Sequence, residues 1–188
     1  LLIINDKKFE NRAEIIREKG TNRSQFFRGM VDKYSWMDLG SSYLLNEISA
    51  AYLWGNLEKA HEINKSRLNN WKKYYDGLKQ LENKELIDLP NIPDEWTHNA
   101  HMFYLKVKDL ENRSKLIQHL KQNDILSVFH YVPLHSTPAG DKFGRFHNKD
   151  KFTTVESERL LRLPIYFGLA SDEVFKVINT VLNYYAGE

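Results

Sequence analysis

Residues 128–140 read VFHYVPLHSTPAG. An apolar run ends in His130 and Tyr131, two prolines then flank His135, and Gly140 closes the segment. Imidazole and phenol groups donate and accept hydrogen bonds, and imidazole changes charge near neutral pH. In an extended chain His130 and Val132 face one way and Tyr131 the other. Pro133 and Pro138 stiffen the loop, and Gly140 permits an unusual dihedral. Such a loop after a strand suits a polar ligand. It suits equally well a structural corner whose histidine is hydrogen-bonded inside the fold, and spacing alone leaves both readings open.

A second group lies in TNRSQFFRGMVDKYSWMDLGSS, residues 21–42. This stretch has no clear period, yet Phe26, Phe27, Tyr34 and Trp36 make it too aromatic for a disordered segment. Arg23 and Arg28 offer planar forks for phosphate oxygens, and aromatic faces can stack a base. Gly40-Ser41-Ser42 stands ahead of a helical pattern, where hydroxyls and backbone N–H groups form an anion site. Together these residues suit a phosphorylated ligand that also carries a ring.

Other chemistries are excluded or weakly supported. The 188 residues contain no cysteine, so thiolate catalysis, disulfides and cysteine-ligated metals are ruled out, and a cytoplasmic setting is permitted. There is no GxGxxG, Walker A, HExxH or GxSxG motif. His98 and His101 sit in a Pro/Asp/Asn-rich stretch rather than on a clear helix, which favours surface polar residues over a metal site. A net charge of +2 does not argue for nucleic acid or for an anionic membrane. No apolar run approaches the ~20 residues of a membrane span.

The elements that must position these residues follow from periodicity. Leu1–Ile4 reads as a buried strand, and a chain opening inside one reads as a portion of a longer protein. A helix is predicted over 11–19, with Gly20 just past its end. The segment 46–81 reads as one long helix or two in tandem, weakened at Gly55 and Gly77. Short strands are predicted over 86–89, 102–108 and 125–132, and a helix over 112–123. A capping box at Thr153–Glu156 starts a helix that stops before Pro164. Ser171 caps a last helix with an apolar stripe at Val174, Val177, Ile178, Val181, Leu182 and Tyr185. The fold class is α+β: a long linking helix and a small sheet with helices on one face.

Four stretches carry a family resemblance: 17–58 (REKGTNRSQFFRG…NLE), NAHMFYLKV, VFHYVPLHSTPAG and SERLLRLPIYF. In order and spacing they resemble the DegT/StrS-type sugar-nucleotide aminotransferases, over essentially the whole chain. They are most similar to the subgroup that converts TDP-4-keto-6-deoxy-D-glucose to TDP-4-amino-4,6-dideoxy-D-galactose. The resemblance implies the C-terminal part of a fold-type I enzyme that uses pyridoxal 5'-phosphate, takes its amino group from glutamate, and works as a homodimer on a nucleotide-sugar substrate. Neither nucleic acid nor membrane is implied as a partner.

On that pattern residues 1–45 are a remnant of the large cofactor-binding domain, 46–82 the linking helix and 83–188 the small domain. Ser41 and Ser42 would meet the cofactor, and Arg23, Arg28, His130, Tyr131 and His135 the substrate. Leu44 departs from the pattern, standing where many relatives place an Asn or Arg that reaches the cofactor phosphate across the dimer. The Schiff-base lysine is expected before Leu1. Lys7 and Lys8 follow the strand and do not match the lysine motif, so the chain alone is expected to be inactive. Another sugar or position of amination, or a non-catalytic nucleotide-sugar-binding or dimerisation domain, are the competing readings.

Overall fold

The structure is a computed structural model that describes residues 2–187. The chain forms two compact units, Leu1–Glu58 and Lys59–Glu188. The division falls inside the expected linking helix, which is two helices, α3 (Glu47–Glu58) and α4 (Ala60–Glu82).

In the first unit, α1 (Glu10–Arg17) and the short α2 (Arg23–Phe27) precede α3. The expected opening strand is absent: residues 2–5 form no ladder, and Leu2 and Ile3 are exposed. Leu1 lies outside the described residues. A strand needs a hydrogen-bonded neighbour, and these residues have none among those described. Past α1, Lys19 adopts the left-handed conformation and the Gly20 N–H closes on Ile15 O at 2.8 Å, so glycine stands one residue later than expected. On α3 the apolar side chains stay in solvent: Ile48 is 85% exposed and Tyr52 77%.

The second unit holds the core. Its three-stranded antiparallel sheet has the order β1 (Phe103–Lys106), β3 (Leu160–Leu163), β2 (Val128–Phe129). Phe103, Leu105, Leu161 and Leu163 point to one face and are buried, while Tyr104, Lys106 and Arg162 alternate to the other. Against the buried face lie α5 (Leu110–Gln122), through Leu116 and Leu120, and α8 (Ser171–Ala186), through Val174, Val177, Ile178 and Val181. Tyr74, Leu78 and Leu81 of α4 complete the cluster at helical spacing. Gly77, a weak point by helix propensity, is where α4 meets α8. A Cβ there would come within 2.9 Å of Ile178 Cδ1. Asp109 caps α5 by accepting the Asn112 N–H at 2.9 Å.

Four expectations are corrected. Residues 160–163 are the central strand, not the end of a helix. The helix α7 (Thr153–Arg159) stops at Arg159, and Val107 N–H donates to Arg159 O at 3.0 Å, which extends the strand pairing. Its start is capped by Asp150, which accepts from both the Thr153 and Thr154 N–H groups, and not by the Thr153–Glu156 box. The strands predicted over 86–89 and 125–132 shrink to a single bridge, Asp88 with Lys106, and to the two residues of β2. At α8, Ala170 rather than Ser171 occupies the cap position, with the Glu173 carboxylate accepting the Ala170 N–H at 3.1 Å.

Leu161, fully buried on the central strand, sets the stability of this unit. Leu161→Ala is expected to lower unfolding free energy in urea by about 2–5 kcal/mol. Leu126→Ala, at an exposed position, is expected to change it by less than about 0.5 kcal/mol. Equal effects would show that the strand is not central to the core.

Candidate functional site

In the second unit, β2 delivers His130 and Tyr131. Their rings meet edge to face at 4.9 Å. Tyr131 is largely exposed, whereas His130 is half-buried and its Nδ1 is covered with no partner among the described residues. An orphan polar atom of this kind costs about 1–3 kcal/mol unless a bound group or water meets it. The Tyr131 carbonyl is tied by the Ser157 hydroxyl at 2.7 Å.

The chain then turns through Pro133 and a 3-10 turn, Leu134–Ser136, into α6 (Pro138–Phe143). The Thr137 hydroxyl accepts the Gly140 N–H at 3.1 Å, and Pro138 sits in the first turn, where its missing N–H costs nothing. Gly140 is required by close approach, because a Cβ would fall 1.7 Å from Leu134 O. His135 turns inward. Its Nε2 pairs with Asp150 Oδ2 at 2.9 Å, and its ring lies 4.3 Å from that of Phe146. Asp150 also accepts the Thr154 hydroxyl at 2.6 Å. His135 therefore ties two stretches of chain together and does not offer Nε2 to a ligand.

In the first unit, the Arg28 guanidinium closes bidentately on the Glu14 carboxylate. That fork is spent inside the unit, so direct anion binding by Arg28 is not what the structure shows. Arg23 is exposed and lies over the Phe27 ring at 5.0 Å. Beside it, Glu18 is buried and takes hydrogen bonds from the Ser24 hydroxyl and from Arg17. The Ser24 bond first, and then Arg17, hold the Glu18 carboxyl below its usual range. Asn22, also buried, accepts the Ser35 N–H at 2.8 Å and so braces the aromatic loop.

Ser41 and Ser42 do not open a helix. Ser41 N–H donates to Ile16 O at 2.8 Å and Ser42 bridges Glu18, which stitches the segment to the end of α1. The helix that follows starts at Glu47, where Asn46 accepts the Ser49 N–H. Both serines remain exposed. Sequence reasoning passed over Glu18, Asn22, Ser24 and Asp150. Only Asp150 carried a signal, as an Asx residue ahead of a helix. Among the described residues no cluster of His, Asp and Glu suits a metal, and no helix is long and apolar enough to cross a membrane. His98 instead packs on Trp71 at 4.7 Å.

Residues 1–182 match the model of the DegT/DnrJ/EryC1/StrS aminotransferase family. The chain belongs to that family. It is 30% identical to the uncharacterized protein MJ1066 of Methanocaldococcus jannaschii, over 96% of this chain and 48% of that one. It is 25% identical to the dTDP-3-amino-3,6-dideoxy-alpha-D-galactopyranose transaminase of Aneurinibacillus thermoaerophilus, over 96% of this chain and 45% of that protein. Among solved structures it is similar to S. venezuelae DesV, a complex with a ketimine intermediate, at a TM-score of 0.81 and 25% identity, covering 97% of this chain and 45% of that one. The chain thus spans about half the length of the curated relatives it matches.

An enzyme of this family needs an amine whose proton can leave, and lysines reach that state by burial away from carboxylates. No described lysine is buried. Of the half-buried ones, Lys79 pairs with Glu82 and Lys106 with Glu156, while Lys73 bonds to Asn70 and Ser171. Of the residues the resemblance points to for the cofactor, Ser41 and Ser42 are exposed.

The Thr154 hydroxyl, and then the Thr154 and Thr153 amides and His135, hold the Asp150 carboxyl below its usual range. A depressed carboxylate contributes stability above its unfolded value of about 3.9 and loses it as pH falls through the lowered folded value. The Thr153 and Thr154 amide resonances are therefore expected to shift in acid below about pH 4. Asp150→Asn should abolish that step. Identical acid titrations of the two proteins would remove Asp150 from this role.

Proposed function

We propose that this chain is part of an enzyme that moves an amino group from glutamate to C4 of TDP-4-keto-6-deoxy-D-glucose, giving TDP-4-amino-4,6-dideoxy-D-galactose. The family match across residues 1–182 carries this reading. The transaminase named for a dTDP-linked amino sugar supports the nucleotide-sugar class. Pyridoxal 5'-phosphate, when bound, supplies the electron sink for the exchange.

The roles divide by unit. In the first, Ser41 and Ser42 offer hydroxyls to the cofactor phosphate, and Arg23 offers its exposed guanidinium to the substrate. Arg28 acts through Glu14 as a brace for the same loop. In the second, His130 and Tyr131 contact the substrate, and His135 positions them by anchoring the loop to Asp150. Leu44, an apolar side chain, contributes no hydrogen bond to the cofactor. The first unit serves as the tail of the cofactor-binding domain, and the bare apolar side chains of α3 suit an enzyme that works as a homodimer. A second reading, amination at C3, draws on the 3-amino product in the name of the same relative.

Without a Schiff-base lysine, the 188-residue chain supplied with pyridoxal 5'-phosphate, glutamate and the keto sugar is expected to form no amino-sugar product. Turnover at the rate of a working transaminase, on the order of 1 per second or more, would overturn the assignment of the lysine elsewhere. A longer form carrying that lysine is expected to yield the 4-amino sugar from the 4-keto substrate. A 3-amino product from a 3-keto substrate would select the second reading.

A further inference from the structure

Arg113 stands on α5 three residues before Leu116 and seven before Leu120, so it shares the stripe that those buried leucines turn to the sheet. A cation on an apolar stripe ordinarily snorkels outward to water. This one is half-buried, and its Nε is covered without a partner among the described residues. Burial pushes its pKa down, against the charge of Glu158, yet a guanidinium stays charged. It makes two contacts. Its Nη1 donates to Ser157 O at 2.6 Å, and its central carbon stands 5.3 Å from the centre of the Phe129 ring.

Both contacts bear on the end of β2. Phe129 is the last residue of that strand and immediately precedes His130. Ser157 lies in the last turn of α7, where carbonyls lack a partner within the helix, and Arg113 fills the place of the missing donor. The hydroxyl of the same serine donates to Tyr131 O at 2.7 Å. The ladder ends at Phe129, so His130 and Tyr131 stand beyond it, and this bond ties their backbone to α7. One guanidinium thus braces the residue before the pair and the serine that holds it. Arginine can do both at once, because its plane lies on a ring while an edge N–H points to a carbonyl. A lysine ammonium keeps the charge but loses the plane and the fixed fork.

We propose that Arg113 is a positioning residue that sets the His130–Tyr131 pair, through Ser157 on one side and Phe129 on the other, without itself touching the substrate. Its consequence for the reaction rests on the reading above that His130 and Tyr131 contact the substrate.

The test reads the ring-to-ring Overhauser contact between His130 and Tyr131, whose centres lie 4.9 Å apart, by nuclear magnetic resonance of the 188-residue chain. Calorimetric titration with TDP-4-keto-6-deoxy-D-glucose accompanies it. Ser157→Ala and Arg113→Lys are expected to abolish the ring contact and to weaken binding about tenfold, with the methyl resonances of the buried Leu116 and Leu161 unmoved. Ser157→Thr, which keeps the hydroxyl, should restore both readouts. Lys121→Ala, at an exposed position on the same helix, should change neither. Should Arg113→Lys keep the ring contact, with or without a lower melting temperature, Arg113 only packs α5 against α7 and the proposal is overturned. If the ring contact is lost in Ser157→Ala and Arg113→Lys while these variants bind the sugar nucleotide as the wild-type chain does, or if none binds it, the positioning stands and the reading that these rings meet the substrate fails.

Discussion

Strand β3 is the constraint on which the second unit depends. It pairs with β1 along one edge and β2 along the other, and no other described strand joins the two. Leu161 and Leu163 reach from it into the helices, while Arg162 sits on the opposite face. An antiparallel pair of two strands is marginal in water, and a third strand with a covered apolar face makes it stable. The position of β2 follows from this pairing, and the position of His130 and Tyr131 follows from β2. The geometry of the candidate site is thus set by a strand that carries none of its polar groups.

That dependence explains what was legible in the sequence. The long apolar stripes of α4 and α8 could be read from spacing, because helical periodicity is local and extends over several turns. The class of fold followed, since helices of this kind beside short alternating stretches make an α+β layer. The central strand could not be read so directly. Leu160–Leu163 alternates for four residues only, and the polar run before it is helical, so nothing local marks where one period gives way to the other. Pairing across more than fifty residues of chain decides it, and that is not a local property.

The candidate site divides along the same line. His130 and Tyr131 were visible as unusual residue types at a strand end, and the structure leaves their rings partly open. His135 and Arg28 were visible for the same reason and are engaged instead, by Asp150 and Glu14. Their partners lie about fifteen residues away in sequence and could not be told from other surface carboxylates. Ser41 and Ser42 were read as an anion site because they stand a few residues ahead of a helical pattern. In the structure they are stitched to the end of α1. Residue type therefore pointed to groups capable of chemistry, and only the fold distinguished those held by an internal partner from those left open.

The uncovered side chains of α3 reach beyond the single molecule. Ile48, Tyr52, Trp54 and Leu57 face water along one short helix, and each would gain by leaving it. A group that covered that helix in the folded state alone would add a mass-action contribution to the unit's stability, and dilution would remove that contribution.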